Sequence, residues 1–258
     1  MENIIVNMSG AALDEGLGQA LGTDRVIDLS GLEGTNCYCD AAAAESIRAA
    51  LTPLPVNAVH WIDTGDYHYL SGFWLEKAAA DGPFALVLFD HHPDMQEPAF
   101  GGVLSCGGWA RESFSGLDAV SQVLMIGINP DLELEILDFV FDGVLAVTSE
   151  DLRHTGDALG SDVLEMISLL EPRIPVYISI DKDVLTRDHA RTDWDQGNMT
   201  LAQLEEAVRL ISASHAIIGV DICGGLTRAK GATDSDFEIN LATDISLSKL
   251  FANLAFHC

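Results

Sequence analysis

The sequence predicts a three-layer α/β/α sandwich built around an eight-stranded, mainly parallel sheet. Eight short runs rich in β-branched and aliphatic residues alternate with segments of helical or loop character. Most runs are continuously apolar rather than alternating, which is typical of parallel strands that are buried on both faces. Acidic and imidazole side chains directly follow several runs, as expected where a site forms beyond the carboxyl ends of parallel strands. Together these observations predict an α/β fold with helices on both sides of the sheet.

The predicted elements follow one another without interruption. The strands are residues 4–8, 25–29, 58–63, 84–90, 122–128, 144–148, 176–181 and 216–221. The helices lie near 40–51, 66–80, 131–140, 157–170, 200–213 and 241–256. Thr200 is the expected N-cap of the fifth helix, because Gln203 stands three residues later and completes a capping box. No linker rich in proline or glycine divides the chain, so we expect residues 1–258 to form one domain.

Composition narrows the class of protein. The chain has 258 residues, of which 48% are hydrophobic, and this amount of apolar material excludes a disordered chain. The formal net charge is −27, and such a surface repels phosphate backbones. We therefore expect no nucleic-acid partner, whereas a small cationic substrate would be attracted.

Two further features concern the compartment. The N-terminus lacks the basic and apolar segments of a signal peptide, and no stretch reaches the roughly 18 apolar residues of a membrane helix. Five cysteines, an odd number in a chain with a large core, fit reduced thiols better than a disulfide framework. We expect a cytoplasmic protein with no membrane partner.

The segment FDHHPD, residues 89–94, carries the first group of candidate metal ligands. Asp90, His92 and Asp94 stand at alternate positions directly after a buried strand, so an extended chain would point all three to one side. Carboxylates combined with imidazole suit Mn, Zn or Fe(II), whereas a set of oxygen ligands alone would indicate Mg or Ca.

A second acidic group, in SIDKD at residues 179–183, has the same spacing. Asp181 and Asp183 follow another predicted strand. Each aspartate taken singly fits the cap of a following helix. Two such groups at one sheet edge would repel each other strongly unless cations were present, so the pattern favours two divalent metal ions.

These motifs resemble those of the arginase/ureohydrolase superfamily, in the same order and at similar spacing across most of the chain. The matching segments are GDYH (65–68), DHHPD (90–94), SIDKD (179–183) and VD (220–221). The resemblance implies the arginase/deacetylase-like form of the predicted sheet and a binuclear centre with two Mn²⁺ per chain. A hydroxide bridging the metals would attack the carbon of a guanidino group and release urea.

The resemblance also assigns roles by position. One metal would be held by His68, Asp90, Asp94 and Asp181, and the other by Asp90, His92, Asp181 and Asp183. Asp221 would bind the substrate guanidinium, and Asp94 would pass a proton to the departing amine. His91 is a further candidate for proton transfer, and Thr192, Trp194 and Asp195 are expected near the substrate. The chain is short for the family, which suggests an open pocket and a guanidino group carried by a peptide as one form of the substrate. The resemblance also makes a homo-oligomer an expectation.

Several positions depart from the family's pattern. In GDYHYLS, the histidine stands one place late, so either the loop bulges or His68 is not an equivalent ligand. Residues 104–113 contain no histidine where the family has one for proton transfer, and Cys106 is one possible substitute. Asp221 is one methylene shorter than the usual glutamate. His154 and His189 follow later strands and are secondary candidates for the site.

Three alternatives remain open. IDTGD (62–66) followed by FDHH resembles the middle motifs of two-metal DHH-type phosphoesterases, but residues 1–35 lack the histidine that those enzymes require. Deacylases of the same fold bind a single zinc and lack acids equivalent to Asp94 and Asp183. A metal-binding relic without turnover is the third alternative.

Overall fold

The computed structural model of the protein describes residues 1–23, 25–98, 101–137, 139, 143–152 and 157–254. Eight strands form one sheet, in which every neighbouring pair is parallel, and two short strands form a separate antiparallel ribbon. The strands are β1 (Asn3–Asn7), β2 (Val26–Asp28), β3 (Tyr38–Cys39), β4 (Val59–Trp61), β5 (Phe84–Phe89), β6 (Leu104–Ser105), β7 (Val120–Ile128), β8 (Val144–Thr148), β9 (Val176–Asp181) and β10 (Ile217–Cys223).

Helices cover both faces of the sheet. They are α1 (Ala11–Asp14), α2 (Leu17–Leu21), α3 (Ala41–Leu51), α4 (Leu70–Ala78), α5 (Trp109–Gly116), α6 (Ser149–Leu152), α7 (Ser161–Ser168), α8 (Leu201–Ser214) and α9 (Asp234–Asn253). None of the helices in the described ranges has both the length and the apolar character needed to cross a membrane.

Strand β5 shows why the sheet lies between two layers. All six of its residues are buried, and they alternate between two hydrophobic cores. Ala85, Val87 and Phe89 belong to the core shared with α8 and α9, whereas Leu86 and Leu88 belong to the core shared with α3 and α4. The continuously apolar run therefore reflects burial on both faces, and the predicted three-layer α/β/α class is confirmed.

All eight predicted strands occur in the large sheet. Helices α3 and α8 begin and end within one residue of their predicted bounds, and Thr200 forms the expected capping box with Gln203. The last helix begins at Asp234, earlier than predicted, because Thr233 forms a capping box with Asp236. Its predicted end at 255–256 lies outside the described residues.

Other predicted helices differ in type or length. The segment at 131–140 contains a 3₁₀ helix over Pro130–Glu135, and residues 138 and 140 lie outside the described ranges. The helix predicted at 157–170 is shorter, since α7 spans only Ser161–Ser168. The sequence analysis missed α1, α2, α5, α6 and the β3/β6 ribbon, because each is too short to show a period of its own.

The order of strands positions the chemically active residues. The sheet runs β2-β1-β4-β10-β9-β5-β7-β8. Strands β4, β10, β9 and β5 are thus consecutive neighbours at its centre, and their carboxyl ends meet at the same edge. The loops that follow these four strands therefore enclose a common space.

Candidate metal centre

The loop after β4 carries His68 to this edge. Asp63 has a left-handed backbone, with φ of 76°, and its carboxylate accepts hydrogen bonds from the backbone N–H groups of Met8 and Ser9 at 2.8 and 2.9 Å. A 3₁₀ turn over Gly65–Tyr67 follows and ends at the buried His68. With this turn, His68 lies beside acidic residues of the neighbouring loops, although it stands one place late in GDYH.

The loop after β5 bends so that its polar side chains converge. The backbone N–H of His92 donates to Asp90 Oδ1 at 2.6 Å, and Asp94 adopts φ of 51°. Asp94 Oδ2 accepts a hydrogen bond of 2.6 Å from the indole of the buried Trp109. The three side chains meet as predicted, although a bend at His91 and His92 brings them together rather than an extended chain.

The end of β9 supplies two further carboxylates. Asp181 ends the strand, and a 3₁₀ turn over Lys182–Val184 follows. The N–H of Asp183 donates to Asp181 Oδ1 at 2.9 Å, and Asp183 Oδ1 accepts from the N–H of His91 at 3.0 Å. These bonds hold both carboxylates in place beside the β5 loop.

The six predicted metal ligands lie together, and we call them the strand-end cluster: His68, Asp90, His92, Asp94, Asp181 and Asp183. His68 Nδ1 lies 3.2 Å from Asp90 Oδ2, 3.0 Å from Asp94 Oδ2 and 3.7 Å from Asp181 Oδ2. His92 Nδ1 lies 2.9 Å from Asp183 Oδ2 and 3.6 Å from Asp90 Oδ1. Asp90 thus stands between the two imidazoles.

Ligand atoms in this cluster form overlapping groups of three, each with its atoms within 4.8 Å of one another. One group contains His68, Asp90 and Asp94, and a second contains Asp90, His92 and Asp183. Asp90 is common to both, as a bridging residue would be. A third group combines His68 and Asp181 with Cys223, which the sequence analysis did not consider.

The ionisation of the cluster reflects crowding of carboxylates. Burial lowers the pKa of His92, but hydrogen bonds to Asp183 and Asp90 outweigh burial and raise it above its usual range. Burial and the neighbouring Asp90 carboxylate raise the pKa of Asp94 to about 7. Burial and Asp181 likewise raise the pKa of Asp183. Protons on these groups therefore offset the negative charge when no metal ion does so.

The donor set fits divalent metal ions. Asp90 Oδ2 is buried without a hydrogen-bond partner among the described residues, and it lies 3.2 Å from His68 Nδ1. Buried carboxylates of this kind are normally paired or coordinated to a metal. The cluster lines a cavity of about 250 Å³, so an ion and a small molecule have access to it. Mixed oxygen and nitrogen donors suit Mn, Zn or Fe(II).

Asp221 does not fit its expected contact with a substrate. Its carboxylate is fully buried and accepts a hydrogen bond of 2.5 Å from Ser179 Oγ, which lies 2.9 Å from His68 Nε2. In the register of β9 and β10, Asp221 pairs with Ser179, whereas Asp181 pairs with Cys223. Asp221 is therefore one layer below the cavity, and it orients His68 through Ser179.

The three residues expected near the substrate, Thr192, Trp194 and Asp195, lie in different environments. Trp194 lines the cavity, and its indole N–H donates to Asp66 Oδ1 at 3.2 Å. Asp195 is exposed, with Oδ1 3.0 Å from His92 Nε2. Thr192 is buried and donates from Oγ1 to the backbone oxygen of Trp194 at 3.1 Å, so it holds the loop rather than facing the cavity.

The remaining candidate residues for the site differ in their position relative to the cluster. His91 Nδ1 lies 3.3 Å from the Gly127 carbonyl, and burial lowers its pKa. Cys106 lines the cavity, but burial and Asp94 raise the pKa of its thiol, so the thiol keeps its proton at neutral pH. His189 lies in a separate groove beside α9, and His154 lies outside the described residues.

The sequence analysis missed three residues in direct contact with the cluster. Trp109 donates to Asp94, Ser179 contacts His68, and Cys223 Sγ lies 3.0 Å from Asp181 Oδ2. Ser179 and Cys223 each stand two positions from an acidic candidate in the sequence, Asp181 and Asp221, but their contacts depend on the register of β9 and β10. Trp109 has no such signal, since it follows a loop whose path the sequence does not indicate.

Comparisons with known proteins agree with this geometry. The model of the arginase family matches residues 38–224. An uncharacterized protein of Thermotoga maritima is 34% identical over 166 residues, which are 64% of this chain and 57% of that protein's length. Less than two thirds of that relative is thus represented in the match.

Solved structures share the fold at low identity. Proclavaminate amidino hydrolase from Streptomyces clavuligerus superposes with a TM-score of 0.69 at 17% identity, covering 97% of this chain and 90% of that one. Formimidoylglutamase from Bacillus subtilis gives 0.70 at 18% identity, covering 97% and 86%. At these identities the likeness concerns the architecture alone.

Proposed function

Since the chain belongs to the arginase family, we propose that it is a metal-dependent hydrolase that cleaves a C–N bond of a guanidino or amidine substrate. The observation that carries this proposal is the strand-end cluster, in which four carboxylates and two imidazoles meet in one cavity. The name of the solved Streptomyces relative, an amidino hydrolase, agrees with this class of reaction.

Two divalent ions, Mn²⁺ by family resemblance, would be held by the six residues of the cluster. We assign His68, Asp90, Asp94 and Asp181 to one ion and Asp90, His92, Asp181 and Asp183 to the other. Such ions, when bound, supply Lewis acidity that makes a nucleophile available from water near neutral pH. Ser179 and Asp221 would fix the ring of His68, and Asp195 would fix that of His92.

The lining of the cavity supports a cationic substrate. Among the described residues that line it, the charged groups are carboxylates and the two imidazoles, with no lysine or arginine. The indole of Trp194 faces the same space and is suited to stack on a planar cation. Asp94, at the wall of the cavity, would transfer a proton to the departing amine.

DHH-type phosphoesterase and single-zinc deacylase activities find less support. Asp181 and Asp183 lie in the cluster, and the SIDKD motif fits the former class poorly. Asp94 and Asp183 both contact imidazoles of the cluster, and they are the acids that deacylases lack.

The proposal is tested by urea release from the protein after loading with Mn²⁺. The substrates are free arginine, agmatine, guanidino acids and arginine-containing peptides, and formamide or ammonia release is followed for amidines. We expect turnover of at least one class of substrate. Asp181→Ala should lose this turnover, and its affinity for the metal ions should fall by at least about 100-fold.

Asp188→Asn provides the matched control, because Asp188 is exposed outside the cluster. It should retain both metal and activity. Two metal ions per chain without turnover of any compound would contradict the hydrolase and favour the catalytically silent relic. Failure to process peptides while free arginine or agmatine is hydrolysed would exclude a peptide-borne substrate.

A further inference from the structure

Cys223 stands beside the strand-end cluster and has no role in the proposed reaction. It is the last residue of β10 and pairs in register with Asp181, the last residue of β9. Residues paired in neighbouring parallel strands project from the same side of the sheet. Its thiol therefore lies alongside the Asp181 carboxylate, with Sγ 3.0 Å from Oδ2.

A nitrogen donor completes this arrangement. His68 Nδ1 lies 3.7 Å from the same oxygen of Asp181, and the sulfur, nitrogen and oxygen atoms are all within 4.8 Å of one another. All three residues are almost completely buried. Asp90 Oδ2, the buried oxygen without a hydrogen bond, faces His68 Nδ1 at 3.2 Å from the adjoining side.

The backbone after Cys223 allows this close approach. Gly224 has φ of 88°, and a Cβ atom there would come within 2.6 Å of Asp181 Oδ1 and 2.8 Å of the Lys182 nitrogen. Only glycine is compatible with both the left-handed conformation and the contact. The pairing of β9 with β10 brings the thiol to the acid, and the missing side chain at Gly224 leaves room for the Asp181 carboxylate.

We propose that Cys223 supplies a sulfur ligand to the ion held by His68 and Asp181, so that this position prefers a thiophilic divalent ion such as Zn²⁺ to Mn²⁺. Thiolate is a soft ligand that favours zinc, whereas oxygen donors suit manganese. On binding, the S–H bond is replaced by a metal–sulfur bond and one proton passes to solvent. This inference rests on the proposed metal centre and changes the expected occupant of one of its two positions.

Zinc K-edge X-ray absorption of the zinc-loaded full chain tests the proposal. A Zn–S shell lies at about 2.3 Å, whereas Zn–N and Zn–O shells lie at about 2.0 to 2.2 Å. We expect a sulfur shell in the wild type and its loss in Cys223→Ser. Competition between equal concentrations of Zn²⁺ and Mn²⁺ should show the preference for zinc reduced about tenfold or more in the same variant.

Cys37→Ser/Cys106→Ser is the matched control, because both residues line the cavity. It should keep the sulfur shell. This result would exclude those two thiols as the source of the sulfur even if Cys223→Ser does not fold. A wild-type spectrum with nitrogen and oxygen shells alone overturns the proposal, as does a sulfur shell that persists in folded Cys223→Ser.

The hydrolase proposal is judged by a different readout. Sulfur-free zinc in a protein that releases urea would overturn the role of Cys223 and leave the proposed function intact. A Zn–S shell in a protein without turnover would do the reverse.

Discussion

Residues 181–183 lie between two groups of buried carboxylates whose negative charge is offset in different ways. Asp181 and Asp183 project into the strand-end cluster, whereas Lys182 between them projects to the other side and reaches α9. There Lys182 Nζ donates to both oxygens of Asp244 at 2.8 and 3.0 Å, close to Glu15. We call Lys182, Asp244 and Glu15 the lysine cluster.

The difference lies in the source of positive charge. The lysine cluster contains its own cation, and Asn240 Nδ2 donates to Glu15 Oε1 at 3.0 Å. The strand-end cluster has four carboxylates and depends on protons on His68 and His92, or on metal ions. Buried acids are stable only when their charge is offset, so a group that lacks a permanent cation of its own is suited to bind one.

Removing the permanent cation should have the largest effect on stability. Lys182→Met leaves the Asp244 carboxylate buried beside Glu15, and we expect it to lower the free energy of unfolding by about 3 to 5 kcal/mol. Urea denaturation of the metal-free protein measures the change. Lys249→Met, at an exposed position of α9, should change it by less than about 0.5 kcal/mol. A loss below about 1 kcal/mol for Lys182→Met would remove the distinction between the two clusters.

Metal removal should act on the strand-end cluster alone. With metal ion at about 100 times its dissociation constant, we expect chelation to lower the free energy of unfolding by about 2.7 kcal/mol. Asp183→Asn keeps the shape and the hydrogen bond from the His91 N–H but removes one charge, so its response to chelation should be much smaller. Equal responses in Asp183→Asn and in wild type would show that the ion binds elsewhere.

The smallest effect concerns the pH dependence of the lysine cluster. Burial raises the pKa of Glu15 from 4.5 to about 7, against the opposing attraction of Lys182. Between these values the folded state binds more protons than the unfolded state, so this contribution to stability is complete below about pH 4.5 and is lost as pH rises to about 7.

Glu15→Gln should remove that slope while retaining an acceptor for Asn240. Relative to wild type, its free energy of unfolding should rise by about 2 kcal/mol between pH 5 and pH 7. Denaturation of both proteins with a chelator present provides the comparison. A difference that does not vary with pH would show that Glu15 is charged throughout.

The sequence predicted which candidate ligands lie together better than it predicted their neighbours, for a physical reason. Asp90, His92 and Asp181 directly follow buried strands, and parallel strands end at one edge whatever their order. The depth of Asp221 below the cavity was not predicted, because it depends on the register of β10 against β9, which a single strand does not reveal. Register also hid the contact of Cys223 with Asp181.

Contacts between distant segments were beyond local patterns. Lys182 and Asp244 are 62 positions apart, and although Lys182 stands within SIDKD, nothing in that motif indicates a partner in the last helix. The turn that brings His68 to the cluster follows Asp63, whose carboxylate accepts hydrogen bonds from the two residues directly after β1. In both cases the packing of separate elements, rather than propensity, determines where the side chain lies.

The ion pair of Lys182 with Asp244 connects α9 to the strand-end cluster, and we expect the two regions to open together. Regions that open together exchange their amide hydrogens as one cooperative unit. Opening of α9 as far as Asp244 would expose Lys182, which lies between Asp181 and Asp183, so both candidate ligands would lose this support in the same event. We therefore expect that release of a bound ion and opening of α9 are coupled, so that amide hydrogen exchange in α9 slows when the ion is bound.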